Sequence, residues 1–261
     1  MIFIKLMGRQ GNQMFQYAFG KILENVRNIP VYFICKKSDF RLYGFDGIRF
    51  IDSSSRLLIF VERYICKFNF RYQEFHSCLE EVNLNSISNY SYVSGYFQSS
   101  ELFEENRAFV KSLFKISSNN LFQSNDCITH IRRGDYLTTI FAEINSNAVI
   151  PEEWFMDQLQ YVKNEFSPDN FQVVGDDGNH LEDFCNKLEW DASALIQSPM
   201  EDFVKLMTSK YLIISNSSFA WWAAFLNIHE DAVIIAPKNW VGFHVGIEYP
   251  KGIMNSRFIW R

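Results

Sequence analysis

Along most of the chain, short apolar runs bounded by glycine or small polar residues alternate with stretches whose apolar residues recur at three and four positions. IFIKL (2–6) has the length of a buried strand, GRQGNQ (8–13) is a glycine-rich turn, and MFQYAFGKILENV (14–26) carries the helical period. VYFIC (31–35) is a second strand, so the chain opens as a βαβ unit of a parallel sheet. Residues 36–90 show no clear period. SYVSGYF (91–97) predicts a strand, and SSELFEENRAFVKSLFKI (99–116) a single helix with acidic residues early and Lys111 and Lys115 late, as the helix dipole favours. SSNNLFQSND (117–126) turns small and polar and predicts a linker, placing a domain boundary near 120.

The alternation then restarts. CITHI (127–131), FQVVG (171–175), ALIQ (194–197), YLIIS (211–215) and AVIIAP (232–237) read as strands. Helices are predicted from Pro151, near 179–188, over 198–210 and over FAWWAAFL (219–226); the third opens with Ser198, Pro199 and Glu201, the signature of a capping box with proline at the first helical position. The two halves, 1–120 and 121–261, imply an α/β protein of two Rossmann-like domains facing across a cleft.

Composition narrows the partners. The 261 residues are 48% hydrophobic with a formal net charge of −5, which suits a folded protein with a sizeable core and excludes a non-specific nucleic-acid binder. Cys35, Cys66, Cys78, Cys127 and Cys185 are odd in number and scattered, which suggests neither a disulfide framework nor a zinc site and fits a reducing compartment. The N-terminal apolar run is short for a signal peptide, and no stretch approaches a membrane span, so a cytoplasmic location is expected. Twenty-six Phe, twelve Tyr and six Trp leave room for aromatic surfaces that stack on sugars or graze a membrane.

Ligands of open α/β sheets bind beyond the carboxyl ends of the strands, and four stretches lie there. In the first, Gly11, Asn12 and Gln13 belong to a loop that can approach an anion, or form an ordinary turn with Asn12 as N-cap. It is not a G-x-G-x-x-G dinucleotide fingerprint, which argues against a Rossmann oxidoreductase. In the second, His130, Arg132, Arg133, Gly134 and Asp135 follow a strand; two guanidiniums can grip a diphosphate through paired donors, or be a solvated strand end with a satisfied histidine. Third, Asp176 and Asp177 can accept from a guanine edge or a ribose diol, or cap a helix. Fourth, Asn216, Ser217 and Ser218 offer hydroxyls and helix N–H groups to a phosphate, or a plain cap.

In order, GNQMFQYA (11–18), H-x-R-R-G-D-Y (130–136), Asp176-Asp177 and SNSSFAWWAAFL (215–226) resemble the bacterial α-1,2-fucosyltransferases of glycosyltransferase family 11. The resemblance spans nearly the whole chain. It implies a GT-B arrangement with an acceptor-binding domain over 1–120 and a GDP-fucose-binding domain over 121–261. It further implies inverting transfer of L-fucose from GDP-β-L-fucose to the 2-hydroxyl of an acceptor sugar such as terminal galactose, without metal or other cofactor, in O-antigen or capsule synthesis. The acceptor would be an oligosaccharide or a lipid-linked glycan, and peripheral association with the inner membrane is compatible with this.

The same resemblance assigns Arg132 to the β-phosphate, Arg133 to support of that clamp, and His130 to the nucleoside side. Asn216, Ser217 and Ser218 would hold the phosphates, Asp176 or Asp177 the guanine or ribose, and Gly11, Asn12 and Gln13 the cleft from the other domain. Departure of GDP loads negative charge on the phosphates as the fucose ring becomes oxocarbenium-like, so fixed arginines there favour the transition state. Asp135 is the carboxylate nearest the clamp in sequence, but beside two arginines it is a poor base and reads as their structural partner before a base; Glu143, Glu152 and Glu153 are other carboxylates downstream, with no motif to choose among them. Tyr96-Phe97-Gln98 can line an acceptor cleft or sit in the core. Two departures from the family pattern stand out: GRQGNQ lacks the two successive glycines common there, and Gly175 replaces a serine usual before the Asp pair. A GDP-fucose-dependent transferase of another linkage, and a non-catalytic sugar- or nucleotide-binding module, are the alternatives.

Overall fold

The computed structural model describes residues 1–43, 45, 47–54, 71–74, 84–116 and 121–261. The chain divides into two compact units, Met1–Ser117 and Ser118–Arg261. Each is an α/β unit built on a parallel sheet, the class that the alternation of runs predicts.

In the first unit the described strands are β1 (Ile2–Lys5), β2 (Val31–Cys35), β3 (Ile51–Asp52), β4 (Arg71–Glu74) and β5 (Ser91–Ser94), in the order β3-β2-β1-β5-β4. Helix α1 (Gln10–Arg27) connects β1 to β2. It starts four residues before the predicted helix, because Gly8 at φ 76° turns the chain and Arg9, not Asn12, is its N-cap. A Cβ on Gly8 would lie 2.6 Å from Asn12 Nδ2. Met14, Phe15, Ala18, Phe19, Ile22 and Leu23 have no exposure and form the helix's buried face. The chain leaves α1 through Asn28 in the left-handed region. Beyond β5 the structure departs from the predicted strand and helix. Phe97 has φ 53° and stacks on Phe19 at 4.0 Å between ring centroids, so its ring belongs to the core. The helix expected over 99–116 is two, α2 (Ser100–Glu105) and α3 (Arg107–Leu113), broken at Asn106, whose side-chain amide donates to the Leu102 carbonyl.

The second unit orders its strands β11-β10-β9-β6-β7-β8, where β6 is Ser124–Ile131, β7 Phe171–Gly175, β8 Ser193–Ala194, β9 Ser209–Ile214, β10 Val233–Ala236 and β11 Ile259–Trp260. Strand β6 begins inside the predicted linker. Its polar start is tolerated because Asn170 and Lys205 both donate to buried Asp126 at 2.7 Å, and Ser124 Oγ meets Ser209 Oγ at 3.1 Å. Helices α4 (Glu152–Glu165) and α5 (Gly178–Asn186) help to cover the sheet, around a core that includes Phe155, Leu159, Val173, Phe184 and Ile213. Helix α6 (Pro199–Thr208) has the full capping box: Ser198 accepts from the Glu201 N–H while Glu201 accepts from the Ser198 N–H at 2.8 Å. Helix α7 (Ser218–Phe225) is apolar all round and buried from Ala220 onward, with the Trp221 indole donating to the Ile253 carbonyl at 3.1 Å. Among the described residues, Cys35, Cys127 and Cys185 are free and buried, and no helix is long and apolar enough to cross a membrane. Cys66 and Cys78 lie outside the described residues.

Strand β6 pairs with β7 down to Ile131 opposite Gly175, and a Cβ on Gly175 would overlap the Ile131 carbonyl oxygen. A serine there would meet the same oxygen, which accounts for the glycine. Gly175→Ala should therefore force the two strand ends apart and cost about 1–3 kcal/mol. Urea unfolding with an unchanged m-value is the measurement; a midpoint equal to that of the native protein would contradict the packing described.

Candidate active site

The strand order of the second unit reverses between β6 and β9: later strands run one way from β6 and the other way from β9. Such a switch point is where an open α/β sheet leaves a crevice beyond its carboxyl ends. His130 lies opposite Ile214 and Ile131 opposite Gly175, so the segments after β6, β7 and β9 emerge side by side. His130, Arg132, Arg133, Asp135, Asp176, Asp177, Asn216, Ser217 and Ser218 are thereby gathered at one edge of one sheet. Gly11, Asn12 and Gln13 form the first turn of α1 in the other unit.

Arg132 dominates this edge. Its guanidinium forms ion pairs with both Asp135 and Asp176, and its side chain is only 11% exposed. The guanidinium also lies 5.5 Å from the centroid of the Tyr136 ring, whose hydroxyl donates to the Asn216 carbonyl at 3.2 Å. Asp176 is a bridge: one oxygen takes Arg132, and the other accepts the Arg133 backbone N–H at 2.9 Å. Gly134, at φ 29°, leaves room for this, since a Cβ there would overlap the same Asp176 oxygen. Asp177 is the N-cap of α5 and accepts from the His180 N–H at 3.3 Å.

Arg133 points its guanidinium elsewhere, 3.5 Å from His180 Nε2, and its buried Nε has no hydrogen-bond partner among the described residues. His180 Nδ1 is 3.7 Å from Glu152, which is paired with Lys187 at 2.6 Å. Glu152 is thus engaged in an ion pair, whereas Glu143 and Glu153 are exposed. Burial, then the Arg133 charge, lowers the His180 pKa.

His130 is buried, and its Nδ1 meets Ser215 Oγ at 2.8 Å. Burial pushes its pKa down to about 4, so the ring is neutral over the ordinary working range, with Ser215 holding its Nδ1 side. Asn216 is buried with its amide donating to the Ala148 carbonyl at 2.7 Å, which leaves its Oδ1 unpartnered among the described residues. Ser217 is the N-cap of α7 but makes no side-chain cap bond, so the first N–H groups of that helix are open to an anion. Helix α1 has the same character: no side-chain cap and no acidic residue in its first turn. There Asn12 accepts from Gln98 at 3.1 Å, and Gln13, fully buried, donates to the Gly8 carbonyl at 3.2 Å.

Three residues outside the expected set belong to this edge. Ser215 and Tyr136 stood within the recognised stretches, but nothing in their spacing distinguished them. Asp202 was legible only as part of a capped helix, yet it is 7% exposed and its Oδ1 has no hydrogen-bond partner among the described residues. No group of three or more His, Cys, Asp or Glu among the described residues is arranged to hold a metal ion.

This arrangement can hold a polyanion with one anchored guanidinium and one uncapped helix N-terminus. The chain is 27% identical over 270 residues to an alpha-1,2-colitosyltransferase of Escherichia coli, covering 90% of this chain and 91% of that one. It is 26% identical over 284 residues to the O-antigen biosynthesis glycosyltransferase WbnK of Escherichia coli, covering 90% and 93%. Among solved structures, POFUT1 in complex with GDP superposes with a TM-score of 0.50 at 12% identity, over 87% of this chain and 94% of that one, a likeness of fold. Residues 1–245 match the profile described as Glycosyl transferase family 11, and the chain belongs to that family.

Proposed function

We propose that this glycosyltransferase moves L-fucose from GDP-β-L-fucose to the 2-hydroxyl of an acceptor sugar, with inversion, in the synthesis of a surface polysaccharide such as O-antigen. The observation that carries the reading is the anchored Arg132 beside the uncapped N-terminus of α7 at the switch point of the sheet. Membership of the family and the O-antigen role in the name of one relative support it. The colitosyl relative favours a second reading, in which the donor sugar is colitose, which lacks the 3-hydroxyl of fucose. An oligosaccharide or lipid-linked glycan is the acceptor class in both readings.

The mechanism follows from charge. As the C1–O bond to the β-phosphate breaks, negative charge grows on the departing diphosphate, and the acceptor hydroxyl attacks C1 from the opposite face, its oxygen forming the new glycosidic bond while its proton passes to solvent water. Arg132, oriented by Asp176, presents paired donors to the β-phosphate, and the open N–H groups of the first turn from Ser218, with the Ser217 and Ser218 hydroxyls, take the remaining phosphate oxygens. Asp135, 49% exposed against 25% for Asp176, is the partner that yields its place on Arg132 to the phosphate. Neutral His130 lines the nucleoside side. Asp176 and Asp177 act on the donor through the arginine and the α5 cap they hold.

Arg132→Lys keeps the charge but loses the planar fork, so kcat should fall about 10²–10³-fold while GDP binding weakens less. Steady-state kinetics with GDP titration tests this, and a folded Arg132→Lys enzyme of near-native kcat would move the clamp to another residue. A donor panel of GDP-fucose and GDP-colitose against β-galactosides, with products identified by mass and linkage, separates the two readings; transfer from neither donor overturns both.

With arginine stabilising the leaving group, activity should survive excess EDTA. Restoration of a lost activity specifically by Mn²⁺ or Mg²⁺ would overturn that expectation.

A further inference from the structure

Asp202 is a buried carboxylate that the reaction, as derived above, does not use, and unlike Asp126 it has no cation partner among the described residues. It lies in the first turns of α6, and like the other helices that follow strands of this sheet, α6 opens its N-terminus at the carboxyl edge. The residue is 7% exposed; the Gln197 side chain hydrogen-bonds the carboxylate, while its Oδ1 has no hydrogen-bond partner among the described residues. Burial pushes its pKa up to about 6, with the Glu201 charge adding to the rise and Gln197 opposing it. An acceptor placed this deep without a donor is destabilising unless something that binds there supplies one.

The surroundings identify the kind of ligand. Ile196, just before α6, is 66% exposed, and it lies over Gly178 at the start of α5 so closely that a Cβ there would be 3.1 Å from Ile196 Cδ1. It is an uncovered apolar platform flanked by two helix N-termini. On the other side, Phe203 contacts Phe219 at 5.2 Å between centroids, and Phe219 lies 6.0 Å from His130. Through Phe203 and Phe219 the start of α6 is tied to the neighbourhood of the nucleoside-side histidine, and Asp202 is the residue before Phe203 on that helix.

We propose that Asp202 reads the guanine of the nucleotide donor, accepting from the ring N1–H and the exocyclic 2-amino group while the purine rests on Ile196. The assignment rests on the GDP-donor reading and adds to it the residue that selects the base. Guanine offers two adjacent donors on its Watson–Crick edge, matching the acceptor oxygens of a carboxylate. Adenine presents an unprotonated ring nitrogen at the corresponding position, and Asp202 repels it.

The test is calorimetric titration of the native protein, Asp202→Asn and Asp202→Ser with GDP, IDP and ADP. IDP lacks the 2-amino group. The native protein should bind GDP about tenfold or more tightly than IDP, the factor carried by one hydrogen bond to a charged group, and ADP more weakly still. Either folded variant should lose GDP affinity by at least about tenfold and bind GDP and IDP alike. Because the carboxamide removes a buried charge, ligand-free Asp202→Asn should melt no lower than the native protein, which separates a reading role from a structural one. An unchanged GDP-to-IDP preference in a folded variant overturns the assignment to Asp202 while the donor reading stands. A native protein that binds GDP no better than ADP overturns the donor reading itself.

Discussion

One guanidinium held between two carboxylates organises the carboxyl edge of the second unit. Arg132, drawn by Asp176 and Asp135, fixes where β6 ends, and Asp176 in turn takes the Arg133 N–H, so the ends of β6 and β7 are tied by charge as well as by the ladder. The tie dictates its neighbours. Position 134 has no room for a side chain, position 175 none either, and His130, one strand residue away from the cation, is kept neutral by burial and held by Ser215. The Arg132–Asp176 pair is the more sheltered of the two, and removing Asp176 leaves a guanidinium that is 11% exposed with only the more exposed Asp135 as carboxylate partner.

How much of this was legible in the sequence differs by level. The strands β2 and β7 and the capping box of α6 followed directly from apolar runs and cap chemistry, because local preference and tertiary packing agree there. The start of α1 did not. Its first turn, with Gly11, Asn12 and Gln13, has the composition of a loop, and its helicity depends on Gly8 and on buried Gln13 bonding distant loops. The polar start of β6 was read as linker because Asp126 finds its partners 44 and 79 residues away, a separation that a local window does not see.

The site shows the same divide. That His130, Arg132, Arg133, the Asp pair and the Asn-Ser-Ser stretch would share an edge followed from their places after strands, a rule of topology. What each does within it did not follow. Asp176 and Asp177 are adjacent in sequence, yet one anchors an arginine and the other caps a helix, since successive residues in a turn face different partners. Asp202 carries no sequence signal beyond being the fourth residue after a cap; only its burial reveals it. The fold is shared with a protein only 12% identical, so the same backbone arrangement is reached by very different sequences.

From Ala220 onward helix α7 is wrapped on every side, with Trp221, Trp222 and Phe225 wholly inside. A helix so enclosed has no local way to fray or rotate, because any such motion would bring an indole into water. The N–H groups at its start are therefore fixed before a ligand arrives, and little ordering entropy remains to be lost when an anion docks on them. The amides within its last turn should exchange with solvent hydrogen only when the whole unit opens, making this short helix a reporter of the unit's global stability.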